Sequence, residues 1–165
     1  MVGMNLLWGK RFAFDFGKEQ FIWMDGEISQ PNLRIWKGGP GARWIVLNAS
    51  FGQRNFLAAW DTGAPITLVN HDFVANQPEL FEPETEIELP PNTKRSGGKA
   101  YRVKAPFVVG GIELNGSFVH AVDLKKTFGE KVGDLPVIMG TSHLRLADWE
   151  FDLVGMEGRV SLRNP

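Results

Sequence analysis

Phe56-Leu57-Ala58-Ala59-Trp60-Asp61-Thr62-Gly63-Ala64-Pro65-Ile66-Thr67-Leu68-Val69 is the stretch on which the reading of the whole chain turns. An apolar run of strand length delivers a carboxylate, Thr and two small residues follow, and a second apolar run leaves. An acid held so closely between apolar segments is expected to be partly buried. Burial is costly unless the charge is hydrogen-bonded or shared. Gly63 can adopt a backbone conformation closed to other residues and bring its N–H to the carboxylate. Thr62 adds a hydroxyl able to bridge to a neighbouring strand or chain. Asp, Thr and Gly are also common turn residues, so a turn that merely ends a strand is the competing reading of these three alone.

Outward from this segment, short apolar runs alternate with 19 Gly and 10 Pro at spacings typical of β-structure. Strands are expected at Arg11 to Phe16, Gln20 to Met24, Leu33 to Trp36, Trp44 to Ala49, and Phe56 to Trp60. Further ones are expected at Glu86 to Leu89, Tyr101 to Val109, Ile112 to Leu114, Ser117 to Asp123, Val137 to Met139, Trp149 to Leu153, and Arg159 to Leu162. Asn115-Gly116, between Ile112 and Val119, reads as the turn of a hairpin. Helix signal is sparse: a turn or two after Asn70 as a cap, and another from Thr141 to Leu146, capped by Thr141 or Ser142. The fold class is therefore all-β, a barrel or sandwich with one or two short helices.

Composition narrows the function. The 165 residues suffice for one domain with its own core, and a net charge of -1 without any Lys/Arg block favours neither nucleic acid nor anionic lipid. With no Cys, disulfides, thiolate metal sites and a cysteine nucleophile are excluded. No apolar run approaches the roughly 20 residues a membrane helix needs, and the start has no secretory pattern. The compartment stays open between cytoplasm and periplasm. His71, His120 and His143 lack metal spacing, so no metal or cofactor is expected. Ser142, in Gly-Thr-Ser-His, is not in a nucleophile elbow. Lys37 to Arg43 has phosphate-loop glycines without the Lys-Ser/Thr ending and reads as a turn.

Ala64, Thr67, Leu68 and Val69 carry the reading further, because with Asp61-Thr62-Gly63 they resemble the aspartic protease signature. Leu135-Pro136-Val137-Ile138-Met139-Gly140-Thr141-Ser142-His143-Leu144 resembles the apolar-apolar-Gly element and short helix that complete that family's ψ-shaped loop. Trp149-Glu150-Phe151-Asp152-Leu153 resembles its closing strand. The likeness is to the retropepsin-like branch, with one lobe per chain, and spans roughly Arg43 to Leu162. It implies an acid protease barrel, with a flap from Thr93 to Tyr101 carrying Ser96, Gly97 and Gly98 over a peptide substrate, and Ala64 beside it. Retroviral members carry an acidic residue and an Arg where this chain has Pro65 and Thr141, which points to a cellular, bacterial branch.

The resemblance implies peptide-bond hydrolysis with Asp61, Thr62 and Gly63 as catalytic residues and no cofactor. Such chemistry needs two carboxyls sharing a proton, one activating water and the other donating to the scissile carbonyl. This chain holds a single Asp-Thr-Gly. The partner is expected from a homodimer or from an upstream homologous lobe; the alternative function is an inactive peptide-binding or assembly module. Phe14-Asp15-Phe16-Gly17-Lys18-Glu19-Gln20-Phe21-Ile22-Trp23 resembles Phe151-Asp152-Leu153-Val154-Gly155-Met156-Glu157-Gly158-Arg159-Val160, so residues 1–36 read as an N-terminal hairpin extension or the tail of such a lobe, and 37–165 as the protease domain.

Overall fold

The computed structural model describes residues 4–38, 44–84, 98–116, 118–132 and 134–163. A helical turn, α1 (Met4–Leu7), leads into the hairpin β1 (Arg11–Asp15) and β2 (Gln20–Trp23). Then come β3 (Leu33–Gly38), β4 (Trp44–Phe51) and β5 (Arg54–Trp60), followed by β6 (Leu68–Asn70) and α2 (His71–Ala75). After β7 (Phe81–Glu84), the strands β8 (Lys99–Val103), β9 (Phe107–Val109), β10 (Ile112–Leu114) and β11 (Phe118–Val122) precede α3 (Leu124–Phe128). The chain closes with β12 (Val137–Met139), α4 (Thr141–Leu144), β13 (Ala147–Asp152) and β14 (Glu157–Leu162).

Among the described residues fourteen strands join one sheet, whose main path runs β2-β1-β13-β14-β3-β4-β5-β12-β6-β11-β8-β7. A sheet of this size does not stay flat. Phe51 on β4 and Phe81 on β7 lie six strands apart along that path, yet their rings are 5.6 Å apart. Adjacent strands are about 4.8 Å apart, so only a rolled sheet brings the two together. Phe51, Phe107, Leu47, Leu114 and Val119 fill the space enclosed. The all-β expectation with short helices holds.

The boundaries expose the local physics. The expected strand Tyr101 to Val109 is broken after Val103, where Pro106 offers no N–H to a ladder, and it continues as β9 on a different neighbour, β4. The expected Asn115-Gly116 hairpin does not form. β10 returns instead on β9, through Gly110 and Gly111 at φ 58° and 79°, and β11 pairs with β6 and β8. Two left-handed residues are what a two-residue hairpin turn requires, and consecutive glycines supply them without strain. The strand expected at Glu86 to Leu89 lies outside the described residues. No helix among the described residues is long and apolar enough to cross a membrane.

Candidate functional site

The course of β5 through β6 explains where Asp61 stands. β12 lies between them, parallel to β5 and antiparallel to β6, with Met139 opposite Trp60 and Ile138 opposite Leu68. Strands hemmed in this way need apolar residues on both faces, and Ala58, Ala59, Val137, Ile138 and Met139 are fully buried. Asp61 is the first residue past this wall. Its N–H donates to the Met139 carbonyl at 3.0 Å, which fixes the backbone as it leaves the sheet.

The Asp61 side chain is half-buried and accepts the Gly63 N–H on Oδ1 at 2.8 Å. Burial raises the Asp61 pKa above the usual carboxylate value, and the Gly63 N–H pulls it back. A carboxyl so placed holds its proton more readily than a solvated Asp does. Thr62 and Gly63 are exposed, while Ala64 is buried beneath them. Gly98 is half-buried at the start of β8; Ser96 and Gly97 lie outside the described residues.

The Gly140 segment is pinned against this loop. Thr141 N–H donates to the Ala64 carbonyl at 2.8 Å, Ser142 N–H to the Pro65 carbonyl at 3.1 Å, and the Thr141 hydroxyl to the same Pro65 carbonyl at 3.0 Å. A β-carbon on Gly140 would stand 2.7 Å from the Ala64 carbonyl oxygen and closer still to that of Ile66. Only glycine permits this approach. The positions of Pro65 and Thr141 therefore do meet, through a neutral hydrogen bond.

Beneath the loop lies a hydroxyl and imidazole cluster absent from the sequence-based site. Buried Thr67 Oγ1 accepts the Gly140 N–H at 3.0 Å and lies 2.8 Å from His143 Nδ1. Ser142 Oγ accepts the Thr67 N–H at 3.0 Å. The Thr67 hydroxyl and His143 Nδ1 share a hydrogen bond whose direction follows the ring tautomer. Burial lowers the His143 pKa to about 4, so the ring is neutral near pH 7. The expected cap role of Thr141 or Ser142 is corrected: Gly140 occupies the cap position, because both hydroxyls are committed to the Asp61 loop. Asn70 does precede α2, without a side-chain cap bond.

Trp60, next to Asp61, packs on Phe14 of β1 (4.8 Å between ring centroids), Phe151 (5.0 Å) and Trp149 (6.2 Å). The N-terminal hairpin thus reaches the residue beside the carboxylate. Among the described residues, no three side chains of metal-binding type converge.

No family model matches the sequence, and no curated protein does. Solved structures do. The retroviral protease-like domain of Ddi1 from Leishmania major matches 73% of this chain and 96% of its own, at 11% identity and a TM-score of 0.41. A retropepsin-like aspartic protease from Rickettsia conorii matches 72% of this chain and 83% of its own, at 15% identity and a TM-score of 0.40. Conglutin gamma, a basic 7S globulin from lupine seeds, matches 98% of this chain over 53% of its own, at 12% identity and a TM-score of 0.48. These likenesses concern the fold alone.

Proposed function

We propose that the chain supplies one half of an aspartic endopeptidase site, with Asp61 as its carboxylate. The observation that carries this reading is the setting of Asp61: half-buried, proton-retaining, and held by the Gly63 N–H at the mouth of a buried three-strand wall. Two such carboxyls about 3 Å apart share one proton, since both cannot ionise readily. The ionised member takes a proton from a bound water, which attacks the peptide carbonyl. The protonated member gives its proton to the carbonyl oxygen; the neutral tetrahedral intermediate then collapses as the carboxyl that took the water's proton passes it to the leaving nitrogen and the other recovers a hydroxyl proton, releasing amine and acid. Thr62, exposed beside Asp61, is suited to bridge to the partner lobe, whether that lobe is a second copy or part of a longer chain. An extended peptide or unfolded segment is the substrate class.

Cleavage of an unfolded protein between pH 3 and 7, compared with Asp61→Asn, tests the reading. Activity should disappear in the variant. Asp61→Asn should also melt no lower than the parent at pH 7, because removing a half-buried carboxylate with a raised pKa relieves a charge cost present only above that pKa. Equal cleavage by both proteins would defeat the proposal. Peptide binding without cleavage by either would favour a binding module on the same fold.

A further inference from the structure

The hairpins β1–β2 and β13–β14 repeat one another in detail. Each turns through four residues between paired ends, Asp15 with Gln20 and Asp152 with Glu157. The last residue of each turn is left-handed: Glu19 at φ 53° and Met156 at φ 59°. In each, the leading Asp accepts the N–H of the third turn residue on Oδ1, from Lys18 at 2.8 Å and from Gly155 at 2.9 Å. A constant shift of 137 positions relates Asp15 to Asp152, Lys18 to Gly155 and Glu19 to Met156. β1 and β13 run antiparallel with Ala13 opposite Glu150, a pair separated by that same shift. A local two-fold axis therefore passes between Ala13 and Glu150.

The axis reveals what the first hairpin lacks. The outer edge of β14 is covered by β3, with Glu157 opposite Arg34 and Gly158 opposite Leu33. The counterparts of Glu157 and Gly158 are Gln20 and Phe21, on β2, which is the end strand of the sheet path. The inner face of the second hairpin, Trp149, Phe151 and Val160, is buried under the barrel. Their counterparts are Phe12, Phe14 and Trp23; Phe12 is fully buried, and beyond it the cover gives out. Phe14 is half-buried, Trp23 is 55% exposed, and Phe21 beside them is 37% exposed. A depression of about 550 Å³ opens alongside, lined by Phe14, Phe16, Phe21, Arg145 and Arg163 among others. Aromatic rings set edge to face on the end strand of the described sheet, Phe21 against Trp23, form a half-built core.

We propose that β1–β2 is the closing hairpin of a second lobe of this same fold, carried upstream in the same polypeptide. The counterpart of β3 in that lobe adds to the free edge of β2, opposite Gln20 and Phe21, and its barrel covers Phe14, Phe21 and Trp23. A second copy of this chain does not fit the place. To dock about this axis, the copy's own β13–β14 would need the edge of β13 that β1 already holds. The architecture stands independently of catalysis; its chemical consequence rests on the reading of Asp61 as a half-site, and is that the second carboxyl lies across the local axis in the same polypeptide.

An immunoblot of the source cells under denaturing conditions, with an antibody against these 165 residues, tests the architecture. The expected band runs at about 1.6 times the mass of the 165-residue chain, since the shift of 137 places the counterpart of Leu33 about 105 positions ahead of Met1, and its tryptic peptides include a second Asp-Thr-Gly or Asp-Ser-Gly outside this sequence. A band only at the mass of this chain would overturn the proposal. A second readout uses Phe21→Ser with Trp23→Ser in the 165-residue chain. Binding of a hydrophobic dye should fall severalfold while the melting temperature holds within a few degrees; a collapse in melting temperature would show that the rings already belong to a completed core. Neither readout involves cleavage. An inactive protein of this larger mass sinks only the catalytic reading, whereas an active dimer of the 165-residue chain sinks only this one.

Discussion

The Thr67 hydroxyl ties the two halves of the Asp61 loop system together, accepting from the Gly140 N–H and facing His143 Nδ1. Thr67→Val keeps the shape of the side chain, strands the buried Gly140 N–H and leaves His143 Nδ1 only its longer contact with Ser142 Oγ at 3.3 Å. An unsatisfied buried group costs about 1–3 kcal/mol, so a loss of about 1–3 kcal/mol is expected in urea denaturation, with Thr67→Ser near the parent. Parent-like stability of Thr67→Val would remove the bridging role. Asp61 itself was legible in the sequence because its signal is local: an apolar strand, an acid and small residues in succession. Thr67 stood in the quoted segment without its role being visible, since its partners lie 73 and 76 positions away. Thr141 and Ser142 looked like helix caps for the same reason: a hydroxyl before a short helix gives no sign that a distant carbonyl or N–H will claim it.

Among the elements, alternation and β-branched or aromatic content located most strands, whereas turn chemistry misassigned one hairpin. Asn115-Gly116 is a strong hairpin signal, but Gly110-Gly111 lies five positions earlier and takes the turn. Gly116 is instead pressed against His143, where a β-carbon would stand 2.7 Å from the ring carbons Cδ2 and Cε1. Gly110→Ala is expected to cost about 2–4 kcal/mol, from left-handed strain together with a β-carbon 2.7 Å from Val160 Cγ1. Asn115→Ala, at an exposed position outside any hairpin turn, should stay within about 0.5 kcal/mol of the parent. Chemical denaturation of the two variants decides between the turns, since a hairpin closed at Asn115 predicts the reverse order. β6, only three residues long, carried too little alternation to be read as a strand. Its place is set by β12 and β11, which join it from distant parts of the chain.

At the scale of the whole molecule, the rolled sheet encloses His120 and His143, and the charge state of the enclosed rings links the fold to pH. Both have pKa values lowered by burial, that of His143 to about 4 against an ordinary 6.5. A base whose folded pKa is depressed is protonated first in the unfolded chain. Its contribution to stability is thus intact above about pH 6.5 and is lost as pH falls toward 4. For His143 the span of roughly 2.5 pKa units corresponds to about 3 kcal/mol, a large share of a marginal fold. Asp152 adds a further loss at lower pH: burial pushes its pKa up, but the Gly155 N–H and Arg11 hold it below the ordinary value. Asp61, with its raised pKa, works in the opposite sense and is a single group. Urea denaturation at pH 7, 5.5 and 4.5 should therefore show a steep decline, and His143→Gln should flatten most of it. A flat profile in the parent would mean that His143 is hydrated or paired in solution. In the acid range where the proposed shared-proton dyad would work, this lobe is weakened by that same margin, so the acid limb of any cleavage profile is expected to extend to lower pH in His143→Gln.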